Sequence, residues 1–211
     1  MNIAVFASGN GTNFEAIAAA ARRGFFRARL KLLVCDNPEA GVLARARRFK
    51  IKSALFDRAA FKTREGFEAK ILARLDKEKI GLIVLAGFMK ILSPNFVRRW
   101  RNRTLNIHPA ILPAFKGMDS IKRASDYGCK LTGVTVHFVD EEMDHGPIIF
   151  QQAIPVPENV DLRALEKQIH ALEHKLYPMA VKFFVEGRLK VEGRKVQVLP
   201  YPQKLPPPAK L

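Results

Sequence analysis

The chain has 211 residues and carries 36 Lys and Arg against 20 Asp and Glu, a formal net charge of +16 with a pI near 10.2. That length predicts one domain able to bury roughly 70% of its unfolded surface, and no apolar run approaches the ~20 residues of a membrane span. The only cysteines are Cys35 and Cys129 and the segment Met1–Ala7 lacks the length and basic flank of a signal peptide, which excludes a disulfide framework and a zinc knuckle and predicts a soluble, cytoplasmic protein.

The charge favours phosphorylated metabolites or polyanions as partners. The basic residues, such as Arg45, Arg47 and Arg48 or Arg98, Arg99 and Arg101, lie on helices without interleaved aromatics, so a solvated surface is as good a reading as a nucleic-acid groove.

Residues 2–7, NIAVFA, read as a short buried strand followed by SGNGTN and an alanine-rich helix from near Phe14. Gly9 and Gly11 permit close backbone approach, and the amides of Thr12, Asn13 and Phe14 would meet an anion at the positive end of the helix. The spacing matches neither a dinucleotide fingerprint nor a P-loop, and Asn13 serving only as an N-cap is an equal reading. An apolar run at Leu30–Cys35, the turn Asp36-Asn37-Pro38, a basic helix from about Gly41 and a strand near Ala54–Phe56 continue as parallel α/β units.

A helix capped by Thr63 places Phe67, Ile71, Leu72 and Leu75 on one stripe and leaves Arg64 facing outward at its start, where a cation is unfavourable and a ligand is suggested. Residues 80–86, closed by Gly87, are apolar on both faces, as in a central parallel strand. Phe88, Met89, Ile91 and Leu92 then form an apolar connection before Ser93-Pro94. They either line a pocket for a flat ring or pack under the next helix.

The stretch TLNIHPAILPAF ends an apolar strand at Pro109, with Asn106 and His108 on one face over open space. An amide beside an imidazole suits stabilisation of an oxyanion, although for an isolated pair a turn-forming Asn and a satisfied strand-end His are the favoured reading. Residues Ala114–Lys130 show no periodicity and read as a long connection. In LTGVTVHFV, Val134, Val136 and Phe138 take the buried face while Thr135 and His137 share the other, directed toward the open space at the sheet's edge.

DEEMDHG clusters carboxylates that raise one another's pKa, or it is a plain acidic turn leading to the strand Pro147–Val156. From Asp161 a helix runs to about Gly187 with Leu162, Leu165, Ile169, Leu172, Leu176, Met179 and Phe183 on its stripe. Glu173, at the edge of that stripe, either meets a ligand amine or snorkels to water. RLKVEGRKVQVL reads as a hairpin and PPPAKL as polyproline-like or disordered.

Asn106 and His108 in NIHPAILP and Asp144 in DHGPII, taken with SGNGTN, resemble the catalytic constellation of the formyltransferases that use 10-formyltetrahydrofolate, over about residues 1–190. The resemblance implies a doubly wound, mostly parallel twisted sheet flanked by helices, with an antiparallel portion in the C-terminal half. It implies a single domain over 1–190, with a phosphate-binding N-terminal half and a catalytic and folate-binding C-terminal half, followed by a hairpin and tail at 191–211. The implied reaction moves a formyl group from 10-formyltetrahydrofolate, as co-substrate and without a metal, to the amine of phosphoribosylglycinamide. The partners are then small molecules, with no specific nucleic acid and no membrane, and the protein is a monomer or homodimer.

Carried over, Asn106, His108 and Asp144 are catalytic, supported by Thr135 and His137. Gly11, Thr12, Asn13, Gly87, Pro109 and Glu173 bind the phosphorylated substrate, and Arg64, Met89, Lys90, Ile91, Leu92, Val139, Asp140 and Glu141 bind folate. A cis Leu112-Pro113 bond is also implied. Lys90 stands where Arg is frequent in the family, and Asp119 and Ile121 where His occurs. The alternatives are transfer to an initiator tRNA, hydrolysis to formate, a basic nucleic-acid-binding module, and, as a minor one, a metal on His108, His137 and Asp144. The short stretch after the long helix and the first strand at Asn2 favour the small amine over the tRNA and hydrolase readings.

Overall fold

Strands as apolar as Ile80–Leu85 need cover on both faces, and the chain supplies it by alternating strands with helices. The computed structural model describes residues 1–201, and the PPPAKL segment lies outside them. In order come β1 (Asn2–Phe6), α1 (Thr12–Arg22), β2 (Arg29–Cys35), α2 (Val42–Arg48), β3 (Lys52–Leu55), α3 (Arg64–Lys77), β4 (Ile80–Leu85), α4 (Pro94–Arg99) and β5 (Thr104–His108). There follow α5 (Ser120–Asp126), β6 (Leu131–Phe138), β7 (Ile148–Pro155), α6 (Leu162–Val185) and the hairpin β8 (Leu189–Glu192) and β9 (Lys195–Val198).

Among the described residues nine strands form one sheet in the order β3-β2-β1-β4-β5-β6-β7-β9-β8. It is parallel from β3 to β5 and antiparallel across β5, β6 and β7, and β9 joins β7 through the single pair Ile148↔Lys195. The winding reverses between β1 and β4, which opens a crevice at the carboxyl ends of the central strands.

On one face α1, α2 and α6 bury Phe14, Ile17, Ile169, Tyr177 and Val181 against Val5, Val84, Leu105 and Val136. On the other, α3 and α4 bury Phe67, Ile71, Phe96 and Trp100 against Phe6, Leu32 and Ile83. Thr63, Ser93 and Asp161 each accept a first-turn amide, caps worth ~1 kcal/mol apiece. Tyr177 crosses the core from α6 and donates its hydroxyl to the Leu85 carbonyl at 2.6 Å and the Leu105 carbonyl at 3.1 Å. Burial, helped by the Glu173 carboxylate, pushes its phenol well above the usual range, so the donor proton stays on.

Several expectations are corrected. Residues Ala114–Lys130 hold the short helix α5, with Ile121 and Ala124 buried beneath it. Helix α1 starts at Thr12 rather than near Phe14, and β3 lies two residues before Ala54–Phe56 at its start. Thr135 and His137 do not face open space: β6 is an interior strand, and they are 0% and 2% exposed. The packed face of α6 adds Tyr177, Ala180 and Val181, while Leu162, Met179 and Phe183 are only partly buried. Among the described residues no helix is long and apolar enough to cross a membrane.

Candidate active site

The turn between β1 and α1 is held open from several sides. Ser8 N–H donates to the Gly87 carbonyl at 3.0 Å, Val42 N–H to Gly9 O at 3.1 Å, and Arg45 donates to both the backbone and side-chain oxygens of Asn10. Gly11 occupies the N-cap position with φ +78°, and among the described residues no side chain caps the helix there. The first-turn amides therefore face the crevice unclaimed by a capping group, as anion binding requires.

Asn13 is not the N-cap. Its Nδ2 donates to Glu173 Oε2 at 2.9 Å, and Glu173 also takes His170 Nδ1 at 2.9 Å. Glu173 does not snorkel: it is buried and ties α6 to the start of α1. The bond to Glu173 is the main cause that raises the His170 pKa.

β5 carries Asn106 and His108 to the same crevice, paired with His137 and Thr135 on β6. Asn106 Nδ2 donates to Asp144 Oδ1 at 3.2 Å and faces His137 Nε2 at 3.2 Å, while His137 Nδ1 meets the Phe138 carbonyl at 2.7 Å. His108 Nδ1 lies 3.3 Å from Asp144 Oδ2, and its Nε2 lies 2.9 Å from the Phe115 carbonyl.

Asp144 accepts the Gly117 amide at 2.8 Å. Burial alone would raise its pKa, but the neighbouring His137 imidazole, the Gly117 amide and the charge of His108 together bring it below the usual carboxylate value. His137 Nε2 lies 3.7 Å from Asp144 Oδ1. The mutual raising expected of a carboxylate cluster is thus reversed at Asp144.

Thr135 does not touch this group. It donates to the Ala110 carbonyl at 2.7 Å and accepts the Leu112 amide at 3.1 Å. With Gln151, which donates to Leu112 O at 2.8 Å, it holds the segment containing the cis Leu112-Pro113 bond. The Pro109 carbonyl accepts the Ser120 hydroxyl at 3.1 Å, anchoring α5 beneath the same segment.

Across the crevice, buried Glu68 organises the connection after β4 by accepting the amide and hydroxyl of Ser93. Arg64 is not a free outward cation, since it donates to Glu68 at 3.3 Å and to the Ile91 carbonyl at 2.5 Å. The two readings of this connection divide by residue. Leu92 is buried in the core, whereas Met89 and Ile91 are 63% and 71% exposed and present apolar surface beside the crevice. Lys90 Nζ lies 3.7 Å from Asp36, Val139 packs on the same core face, Asp140 binds His145, and Glu141 is exposed.

Asp119 takes φ +55° at the start of α5, and Ile121 is core. Sequence reasoning missed the Phe115 carbonyl and the Gly117 amide, which carry no side-chain signal. It also missed His170 and Gln151; the spacing of His170 and Glu173 is the one cue that could have found the first.

Fold and side-chain chemistry together define an α/β transferase: an anion-binding turn and an amide–imidazole–carboxylate group converge at the ends of adjoining strands. The chain belongs to the formyl transferase family, whose model matches residues 1–181. It is 44% identical over 179 residues to the phosphoribosylglycinamide formyltransferase of Bacillus subtilis (strain 168), covering 85% of this chain and 92% of that one. To the protein of the same name from Escherichia coli (strain K12) it is 36% identical over 191 residues, 90% of each. The crystal structure of glycinamide ribonucleotide transformylase 1 from Symbiobacterium toebii matches with a TM-score of 0.92 at 40% identity, covering 95% of this chain and 94% of that one.

Proposed function

We propose that the protein transfers a formyl group from 10-formyltetrahydrofolate to the amine of phosphoribosylglycinamide in purine biosynthesis. The observation that carries this reading is the contact of Asp144 with both Asn106 and His108, at 3.2 and 3.3 Å, in the crevice that the uncapped turn at Gly11 also faces. The similarity to phosphoribosylglycinamide formyltransferases over most of the chain supports it.

Gly11, Thr12 and Asn13 hold the phosphate, while Glu173, Gly87 and Pro109 line the path to the amine. The exposed apolar side chains of Met89 and Ile91 suit a flat ring, and with Arg64, Lys90, Leu92 and residues 139–141 they hold the folate. 10-Formyltetrahydrofolate supplies the activated formyl carbon. Asn106 Nδ2 and His108 Nε2 donate to the oxygen on which negative charge develops. To do so, Nε2 exchanges the Phe115 carbonyl for that oxygen.

Asp144 keeps a proton on His108 and, through water, passes the amine's proton towards the departing nitrogen, a role worth on the order of 10² to 10⁴ in rate. We assign the formyltransferase domain to residues 1–190. We place the protein in the cytoplasm, where two free thiols suit the redox state, as a monomer or homodimer.

The test is to follow 10-formyltetrahydrofolate consumption with and without phosphoribosylglycinamide. Rapid consumption is expected only with the ribonucleotide. Turnover with water alone, or with charged initiator tRNA in its place, would overturn the assignment.

A further inference from the structure

The acidic loop between β6 and β7 is gripped from outside by the turn of the C-terminal hairpin. Arg194 donates from Nη2 to the His145 carbonyl at 2.7 Å. Its Nη1 lies 2.9 Å from His145 Nε2 and 3.2 Å from Nδ1, so the guanidinium covers the ring rather than meeting a single lone pair. The ring's Nδ1 also stands 2.7 Å from Asp140 Oδ2, and Asp140 accepts the Glu142 amide at 3.1 Å. Arg194, His145 and Asp140 therefore form one continuous strap across the loop.

Both ends of the loop are fixed as well. A Cβ on Gly146 would stand 1.9 Å from the Phe138 carbonyl, so that glycine lies directly on the end of β6. The pair Ile148↔Lys195 sets β9 beside the loop's exit, one residue from Arg194. Between these anchors Asp144 adopts φ +49°, a left-handed conformation that a residue with a side chain holds only when its surroundings impose it. The acids of this loop repel one another, and Arg194 reaches them through His145, whose ring nitrogens lie 2.7 Å from Asp140 Oδ2 and 3.9 Å from Glu142 Oε2.

We infer that Arg194 is a positioning residue for the transfer: acting through His145 and Asp140, it holds the loop in the bend that presents Asp144 to Asn106 and His108. The inference rests on the role given to Asp144 above. Arginine is needed because a planar fork covers the imidazole and reaches the carbonyl together, whereas an ammonium satisfies one of them.

Hydrogen exchange and steady-state kinetics of Arg194→Ala and Arg194→Lys test this. In the alanine variant the amides of residues 139–146 should exchange at least about tenfold faster, while those of β1 and α1 are unchanged. Its kcat should fall about tenfold with KM for the phosphorylated amine within about twofold, and Arg194→Lys should recover part of the loss. Combining Arg194→Ala with His145→Ala should be no worse than the poorer single variant, as for two links in one strap.

Unchanged loop exchange, a kcat within about twofold of wild type, faster exchange throughout β1–β5, or losses that multiply in the double variant would each overturn the inference. Asp144→Asn is measured in parallel. If it keeps full turnover, the catalytic half of the inference falls together with the role of Asp144, while the exchange data on Arg194→Ala still decide whether the strap holds the loop.

Discussion

His108 has an acceptor at each ring nitrogen, the Phe115 carbonyl at Nε2 and Asp144 at Nδ1, which is the environment of a ring carrying two N–H groups. His108→Ala or Asn106→Ala should therefore lower kcat by about 10² or more with the fold kept, as expected on losing an oriented donor; near-normal turnover would remove that residue from the reaction. Asp144 offers a separate check by pH. Its carboxyl sits below the usual value in the folded protein, so its stabilising contribution is fully present above the unfolded-chain pKa of ~3.9 and is lost as pH falls through the lower native value. Asp144→Asn should flatten the fall of the urea midpoint below about pH 4, and an unchanged slope would assign that fall to other carboxylates. Asn106, His108 and Asp144 were legible in the sequence because their chemistry lies in side chains. The Phe115 carbonyl and Gly117 amide were not, because any residue supplies them and only the fold aims them.

Elements differ in how much of themselves they show. β5 runs from Thr104 to His108 as its pattern predicts, stopped by Pro109, and the cap at Thr63 stands where the sequence puts it. α5 hid because its seven residues make less than two full turns and bury only Ser120, Ile121 and Ala124, too few for a period to emerge. β6 misled because alternation implies one wet face, whereas Thr135 and His137 are buried with hydrogen-bond partners. Gly11 shows an element boundary doing two jobs. A Cβ there would lie 2.4 Å from Val42 Cγ2 and 3.0 Å from Val42 Cα, in a backbone conformation already strained for a side chain. Gly11→Val should therefore cost stability by about 1–3 kcal/mol in urea unfolding, besides raising KM for the phosphorylated substrate. A higher KM with unchanged stability would mean that the ligand alone demands glycine.

At the scale of the molecule, a charge of +16 attracts phosphorylated ligands from a distance, and salt screens that attraction. Raising ionic strength from about 0.05 to 0.5 M should raise KM for phosphoribosylglycinamide several-fold with little change in kcat, and mixed DNA should be bound weakly and released near physiological salt. Salt-resistant DNA binding would point to a nucleic-acid partner instead. The Tyr177 hydroxyl sets a different constraint, one of time. It joins α6 to the ends of β4 and β5, partners 92 and 72 residues away along the chain. Contacts that remote form only after long loops have closed, so the strand ends stay unpinned until the last long helix docks. On refolding, turnover should return with the docking of α6 and not with the earlier pairing of β1, β2 and β4. Tyr177→Phe, which removes both of these buried bonds, should quicken unfolding more than it slows folding.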